Sequence, residues 1–166
     1  MSTSQEAWFR KLEIQKPEPP TEAEIWFISK AEEALIPLQP LYRPGPKAFY
    51  TVLEFRNGRT QKVYVEFPWE KAFGHSKISI YSVAWIGSNL PDSSKVFDIL
   101  SKGSGIPGGW RFTRVPESDN FQLTFQMDVL LPSKPDIADF QRTIIEIGTM
   151  ADSAEAELGF ADVDNH

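Results

Sequence analysis

Four groups of residues in this chain have the types or the spacing to do chemistry. The first is the run Gly103-Ser104-Gly105-Ile106-Pro107-Gly108-Gly109. Glycine-rich runs cradle phosphates when backbone amides and the N-terminus of a following helix converge on the anion. That geometry needs a strand before the run and a helix after it. Here the pattern runs from helix to strand, and no Lys-Ser or Lys-Thr pair follows, so the run reads as a structural turn. The second is His75, the one internal histidine, in a loop after Gly74. Metal binding or proton transfer at His75 needs partners, and the sequence has no cysteine, no HExxH and no GxSxG. His166 is the last residue and needs no role.

The third group is the carboxylates. Glu54, Glu66 and Asp128 fall on outward strand positions, where neighbours such as Lys62 make them ordinary cross-strand pairs. A glycosidase-type acid pair is the reading this leaves in third place. Glu155, Glu157, Asp162 and Asp164 gather at the end of the last helix, against its macrodipole. They read as solvated surface, or else as a docking patch for a basic segment. No catalytic residue, metal ligand or cofactor site stands out, so the expectation is a protein that is not an enzyme.

The fourth group is Tyr50, Tyr64, Tyr81 and Trp85. Strand alternation puts all four opposite the aliphatic core face. Amphipathic aromatics with Gln, Thr and Arg between them match the composition of protein interfaces. They are the candidate protein-binding residues. The alternative is that another layer of chain, the N-terminal arm among them, covers this face.

These side chains must be carried by a sheet. Phe49 to Arg56 alternates, with Phe49, Thr51, Leu53 and Phe55 on one side. Asn57-Gly58 is the signal for a type I′ hairpin turn. Thr60 to Phe67 returns with Val63, Val65 and Phe67 inward. Lys77 to Ile86 is apolar on both faces and reads as a central strand, with Ile78, Ile80, Ser82, Ala84 and Ile86 opposite Ser79, Tyr81, Val83 and Trp85. Trp110 to Val115 is a short strand. Phe121, Leu123, Phe125, Met127 and Val129 alternate with polar residues up to Leu131.

Helices flank the strands. Ser4 caps a short helix to about Ile14, broken by Lys16-Pro17-Glu18-Pro19-Pro20. Thr21 and Glu24 form a capping box for a helix to about Leu35, with Ile25, Ile28, Glu32 and Leu35 on one face. Leu38 to Pro46 carries too many prolines for regular structure. Asn89-Leu90-Pro91-Asp92 starts a helix with Asn89 as its cap. Ser133 to Asp136 opens the longest helix, striped by Ile137, Phe140, Ile144, Ile147, Ala151, Ala154 and Leu158, with Gly159 just beyond its end.

The fold class expected is therefore α+β: a five-stranded antiparallel sheet in the order (α)-α-β-β-β-α-β-β-α. Residues 1–20 form an N-terminal helical arm and proline-rich linker, 21–159 a single domain, and 160–166 an acidic tail. The chain has 166 residues, enough for one domain with a real core. Its net charge of −6 disfavours nucleic-acid backbones and anionic membrane surfaces. No run approaches the roughly 20 apolar residues of a spanning helix. With no signal peptide read at Met1 to Arg10 and no cysteine, the expected location is cytoplasmic.

The arrangement resembles the YbjN-like family, whose fold is shared with type III secretion chaperones. The resemblance covers roughly Thr51 to Phe160. It is carried by Ile80-Tyr81-Ser82 and by the Pro91 helix ending in Ile99-Leu100-Ser101. Gly108-Gly109-Trp110-Arg111-Phe112, the Phe121–Leu131 strand and the last helix with Ala151-Asp152 and Glu157-Leu158 complete it. The Ser4–Ile14 segment and the proline-rich entry to the first strand depart from the pattern. The resemblance implies a small acidic protein, usually dimeric, that holds a partner chain in extended form on sheet and helix surfaces, with no catalytic residues to carry over. The expected function is a non-catalytic chaperone-like or adaptor protein that binds a protein segment, with a homodimer as one assembly. The alternative is a small-molecule-binding regulatory module, with a pocket between sheet and helices near Trp69, Phe73 and Trp110.

Overall fold

The computed structural model describes residues 41–45, 48–56, 58–66, 71–72, 75–89, 91–102, 108–130 and 136–159, together with the helical positions Glu22, Ile25, Ser29, Lys30 and Glu33. The arm expected over 1–20 and the tail over 160–166 lie outside the described residues, as do Asp162 and Asp164. The five helical positions fall within the helix expected over 21–35. Ile25, expected on its apolar stripe, is 54% exposed.

All five expected strands form, and every pairing between them is antiparallel: β2 (Ala48–Glu54), β3 (Thr60–Glu66), β5 (His75–Gly87), β6 (Gly109–Arg114) and β7 (Phe121–Leu130). Two short strands go beyond the expectation. β1 (Leu41–Gly45) pairs with β2, and β4 (Lys71–Ala72) pairs with the start of β5. The order across the sheet is β1-β2-β3-β5-β7-β6. Residues 41–45, within the segment expected to be irregular, thus form a strand that includes Pro44. It lies at the edge, where a missing N–H costs no ladder bond, and its register slips between Tyr42 and Gly45, either side of Pro44. His75, expected in a loop, is the first residue of β5.

The β2–β3 hairpin differs in its turn. Phe55 N–H donates to the Arg59 carbonyl at 2.9 Å, and Gly58 N–H donates to the Phe55 carbonyl. Three residues lie between Phe55 and Arg59, one more than a two-residue type I′ turn has. Gly58 takes φ of +80°, which glycine adopts without strain.

Helix α1 (Ser93–Ser101) is capped by Asp92, not Asn89. The Asp92 carboxylate accepts from Ser94 N–H at 2.9 Å and Ser94 Oγ–H at 2.7 Å. Helix α2 (Ile137–Leu158) is capped by Asp136 and ends at Gly159 in the left-handed conformation. α2 packs on β3, β5 and β7. Its stripe of Phe140, Ile144 and Ile147 meets the expected inner face of Val63, Val65, Ile78, Ile80 and Phe125. Toward its C-terminus, Ala151, Ala154 and Leu158 meet Leu123, Trp85 and Ile99 of α1. Both helices therefore cover the same face of the sheet. Gly148 allows the closest approach: a Cβ there would lie 2.5 Å from Leu53 Cδ1. No helix among the described residues is long and apolar enough to cross a membrane.

Candidate functional site

The face of the sheet opposite the helices carries the candidate residues. Strand register sets Tyr50 beside Tyr64 and Tyr64 beside Tyr81, with Gln126 next in line on β7. The rings stand close, as cross-strand neighbours do. Tyr50 and Tyr64 have centroids 5.4 Å apart with planes tilted by 44°. Tyr64 and Tyr81 stack at 5.1 Å with an interplanar angle of 13°. Tyr64 and Tyr81 thus cover each other's ring faces, while Tyr50 leans against Tyr64 at an angle. All three tyrosines are half-buried.

Trp85 does not belong to this face. Its expected place opposite the core rests on unbroken alternation along β5, and the alternation breaks. The β5–β7 register runs Val83 to Thr124 and then Trp85 to Leu123, which leaves Ala84 as an extra residue in a β-bulge. One inserted residue moves every later side chain to the other face. Trp85 is consequently 3% exposed and packs with Leu123 and Ile99, while Ile86 takes the outer position and is exposed. Trp85 stacks on Phe112, and Phe112 on Phe121, at 6.0 and 5.6 Å. Beside the bulge, buried Gln61 Nε2 donates to the Val83 carbonyl at 2.7 Å and to Ser82 Oγ at 2.9 Å.

Beside the tyrosine ladder lies a polar lattice. Asp128 accepts from Ser79 Oγ at 2.8 Å, Gln126 Nε2 at 2.7 Å, Arg111 at 2.9 Å and Lys77 Nζ at 3.2 Å. Partial burial pulls its carboxyl upward, but the bonds from Gln126, Ser79 and Lys77 together outweigh that and hold it below the ordinary carboxylate range. Tyr81 donates to Glu66 Oε1 at 2.7 Å. Burial first, and then the Glu66 carboxylate, push the Tyr81 phenol far above its ordinary value. Glu66, Ser79, Tyr81, Arg111, Thr113, Gln122, Thr124 and Gln126 line a shallow depression of about 230 Å³. Glu66 thus has a tyrosine partner, not the simple lysine pair expected. The Asp128 cluster is a surface network of two cations and two neutral donors on one carboxylate.

Glu155 corrects a second expectation. Its side chain is fully buried, with Arg59 NH2 3.1 Å from its Oε2. Arg59 Nε also donates to Asp152 Oδ1 at 2.6 Å. Glu157 does lie at the surface, paired with Lys102. Trp69 and Phe73, two of the three residues expected to line a pocket, lie outside the described residues; Trp110 packs edge-on against Phe125 at 5.0 Å. Among the described residues no group of three or more His, Asp or Glu side chains gathers as a metal site.

Comparison of the chain with protein-family models, with curated proteins and with solved structures finds no match.

Proposed function

We propose that this protein binds a segment of another protein, as a non-catalytic adaptor or chaperone-like molecule, through the outer face of its sheet at Tyr50, Tyr64 and Tyr81. The observation that carries this reading is the ladder itself. Three half-buried tyrosines run across three adjacent strands, and the two helices described in full both pack on the opposite face. The rings are held rigid by each other and by the Glu66 bond, so little side-chain entropy is lost on contact. Hydroxyls, Gln126 and the Asp128 lattice provide the polar surround that interface aromatics use. The resemblance to the YbjN-like family and its chaperone-type fold agrees with this reading, and a cytoplasmic homodimer is the assembly that goes with it. Trp85 is left out of the site because it is core.

The test is site-specific photo-crosslinking in the native host. A crosslinker at position 64 is expected to trap a protein partner, and one at Ser153, exposed on α2, is not. Tyr81→Phe and Tyr50→Ala variants that keep their melting behaviour are expected to lower the yield roughly tenfold or more, as loss of an interface anchor does. Equal yields from the two faces, or from folded Tyr50→Ala and the parent chain, would refute the site.

A further inference from the structure

The two edges of the sheet are unlike. At one end β1 is interrupted by a register slip beside Pro44. At the other, β6 pairs with β7 in unbroken register from Gly109 to Arg114, and none of the described strands pairs with its outer side. A flat edge of six residues presents unpaired backbone donors and acceptors, which soluble proteins normally blunt. β6 has no proline and no bulge. What it has is charge. Arg111 and Arg114 have side chains 49% and 64% exposed, on a protein of net charge −6. Each guanidinium meets one neighbouring carboxylate, Asp128 or Asp119, and carries further N–H donors beyond that contact. Phe112, between them, is 38% exposed on the helix side of the sheet.

We infer that the β6 edge accepts an extended acidic peptide as an added antiparallel strand. Side chains directly opposite on paired strands share a face. An added strand therefore needs a carboxylate facing Arg114, an apolar residue two positions on facing Phe112, and a second carboxylate at the next position facing Arg111. Backbone bonds along Gly109–Arg114 supply general affinity, and these three positions supply selection. A second copy of the same chain fits less well: pairing β6 with itself brings four arginines to one seam, and like charges across a strand pair repel. The arginines thus keep copies apart while admitting an acidic strand. The inference shares the protein-binding reading but uses a separate element, so a Tyr50→Ala chain that has lost its partner still captures the peptide.

The test uses the full chain and a capped Glu-Thr-Val-Glu-Val peptide, with Lys-Thr-Val-Lys-Val as its counterpart, followed by titration calorimetry. The acidic peptide is expected to bind and the basic one to bind about tenfold or more weakly. Arg114→Glu, in an exposed position, is expected to narrow or invert that preference; Arg111→Glu does the same if its melt shows a folded chain. Methylating alternate peptide amides is the sharper arm. One phase should abolish binding and the other should leave it, because only every second amide of an added strand faces β6. Equal binding of acidic and basic peptides, no binding of either, or indifference to both methylation phases would overturn the inference. So would a parent chain that sediments as a dimer and becomes monomeric in Phe112→Lys, since the edge would then belong to a second copy.

Discussion

Arg59 is the residue whose removal says most about how the hairpin is tied to α2. It follows the Gly58 turn, and its guanidinium reaches the helix at Asp152 and Glu155. Glu155 has 0% of its side chain exposed, Asp152 14% and Arg59 21%. At 3.1 Å and an effective dielectric of about 20, the Arg59–Glu155 attraction is about 5 kcal/mol, set against the cost of taking Glu155 out of water. Arg59→Met removes the attraction and leaves the desolvation cost in place, so it should destabilise the fold by about 3–5 kcal/mol. Glu155→Leu should cost less, because Arg59 keeps Asp152 and some solvent. The double variant should recover most of the Arg59→Met loss, giving a coupling of about 2–3 kcal/mol. Urea unfolding followed by circular dichroism measures all three, with the m-value as a check that the unfolded state is unchanged. An Arg59→Met cost below about 1 kcal/mol, or strictly additive losses, would refute the claim that Glu155 relies on Arg59.

Gly148→Ala should destabilise by about 1–2 kcal/mol although alanine favours helix, because its Cβ would lie 2.5 Å from Leu53 Cδ1 and 3.1 Å from Val63 Cγ2; pairing it with Leu53→Ala should relieve part of the loss in a thermal melt. Tyr81 has a folded pKa raised above its ordinary 10.0, so its contribution to stability is complete below that pH and is lost as pH rises beyond it; Tyr81→Phe should flatten the fall in unfolding free energy that sets in above about pH 10 and leave the slope below about pH 9 unchanged, read by urea titration at each pH.

The sequence pattern is sufficient for β2, β3, β5, β6 and β7, though not for the short β1 and β4, because alternation is strongest where one face is fully apolar. Val63, Val65, Ile78, Ile80, Leu123 and Phe125 are all at or below 1% exposure. The pattern fails at Ala84, where a one-residue bulge leaves no signature in a strand apolar on both faces, and alternation alone therefore puts Trp85 on the wrong side. Glu155 is legible in principle: it follows Ala151 and Gly148 at helical spacing, both buried on the inward stripe, but its charge argues for solvent. Its partner cannot be found by spacing. Arg59 lies 93 positions from Asp152, its other contact, and only the packing of α2 over the hairpin brings these groups together. The tyrosine ladder needs register as well as alternation. The outward parity of Tyr50, Tyr64 and Tyr81 is in the sequence, whereas their alignment in one row is set by the three-residue hairpin loop and the β3–β5 pairing.

The contrast between the sheet's two edges also fixes a valency. Strand addition is a self-propagating reaction when both edges are open, since each added unit presents a fresh template. Here the slip beside Pro44 interrupts regular pairing at one end, and among the described strands β6 is the edge with unbroken register. A molecule with one such end caps what it binds: strand pairing through it yields discrete complexes, and a filament cannot lengthen across it.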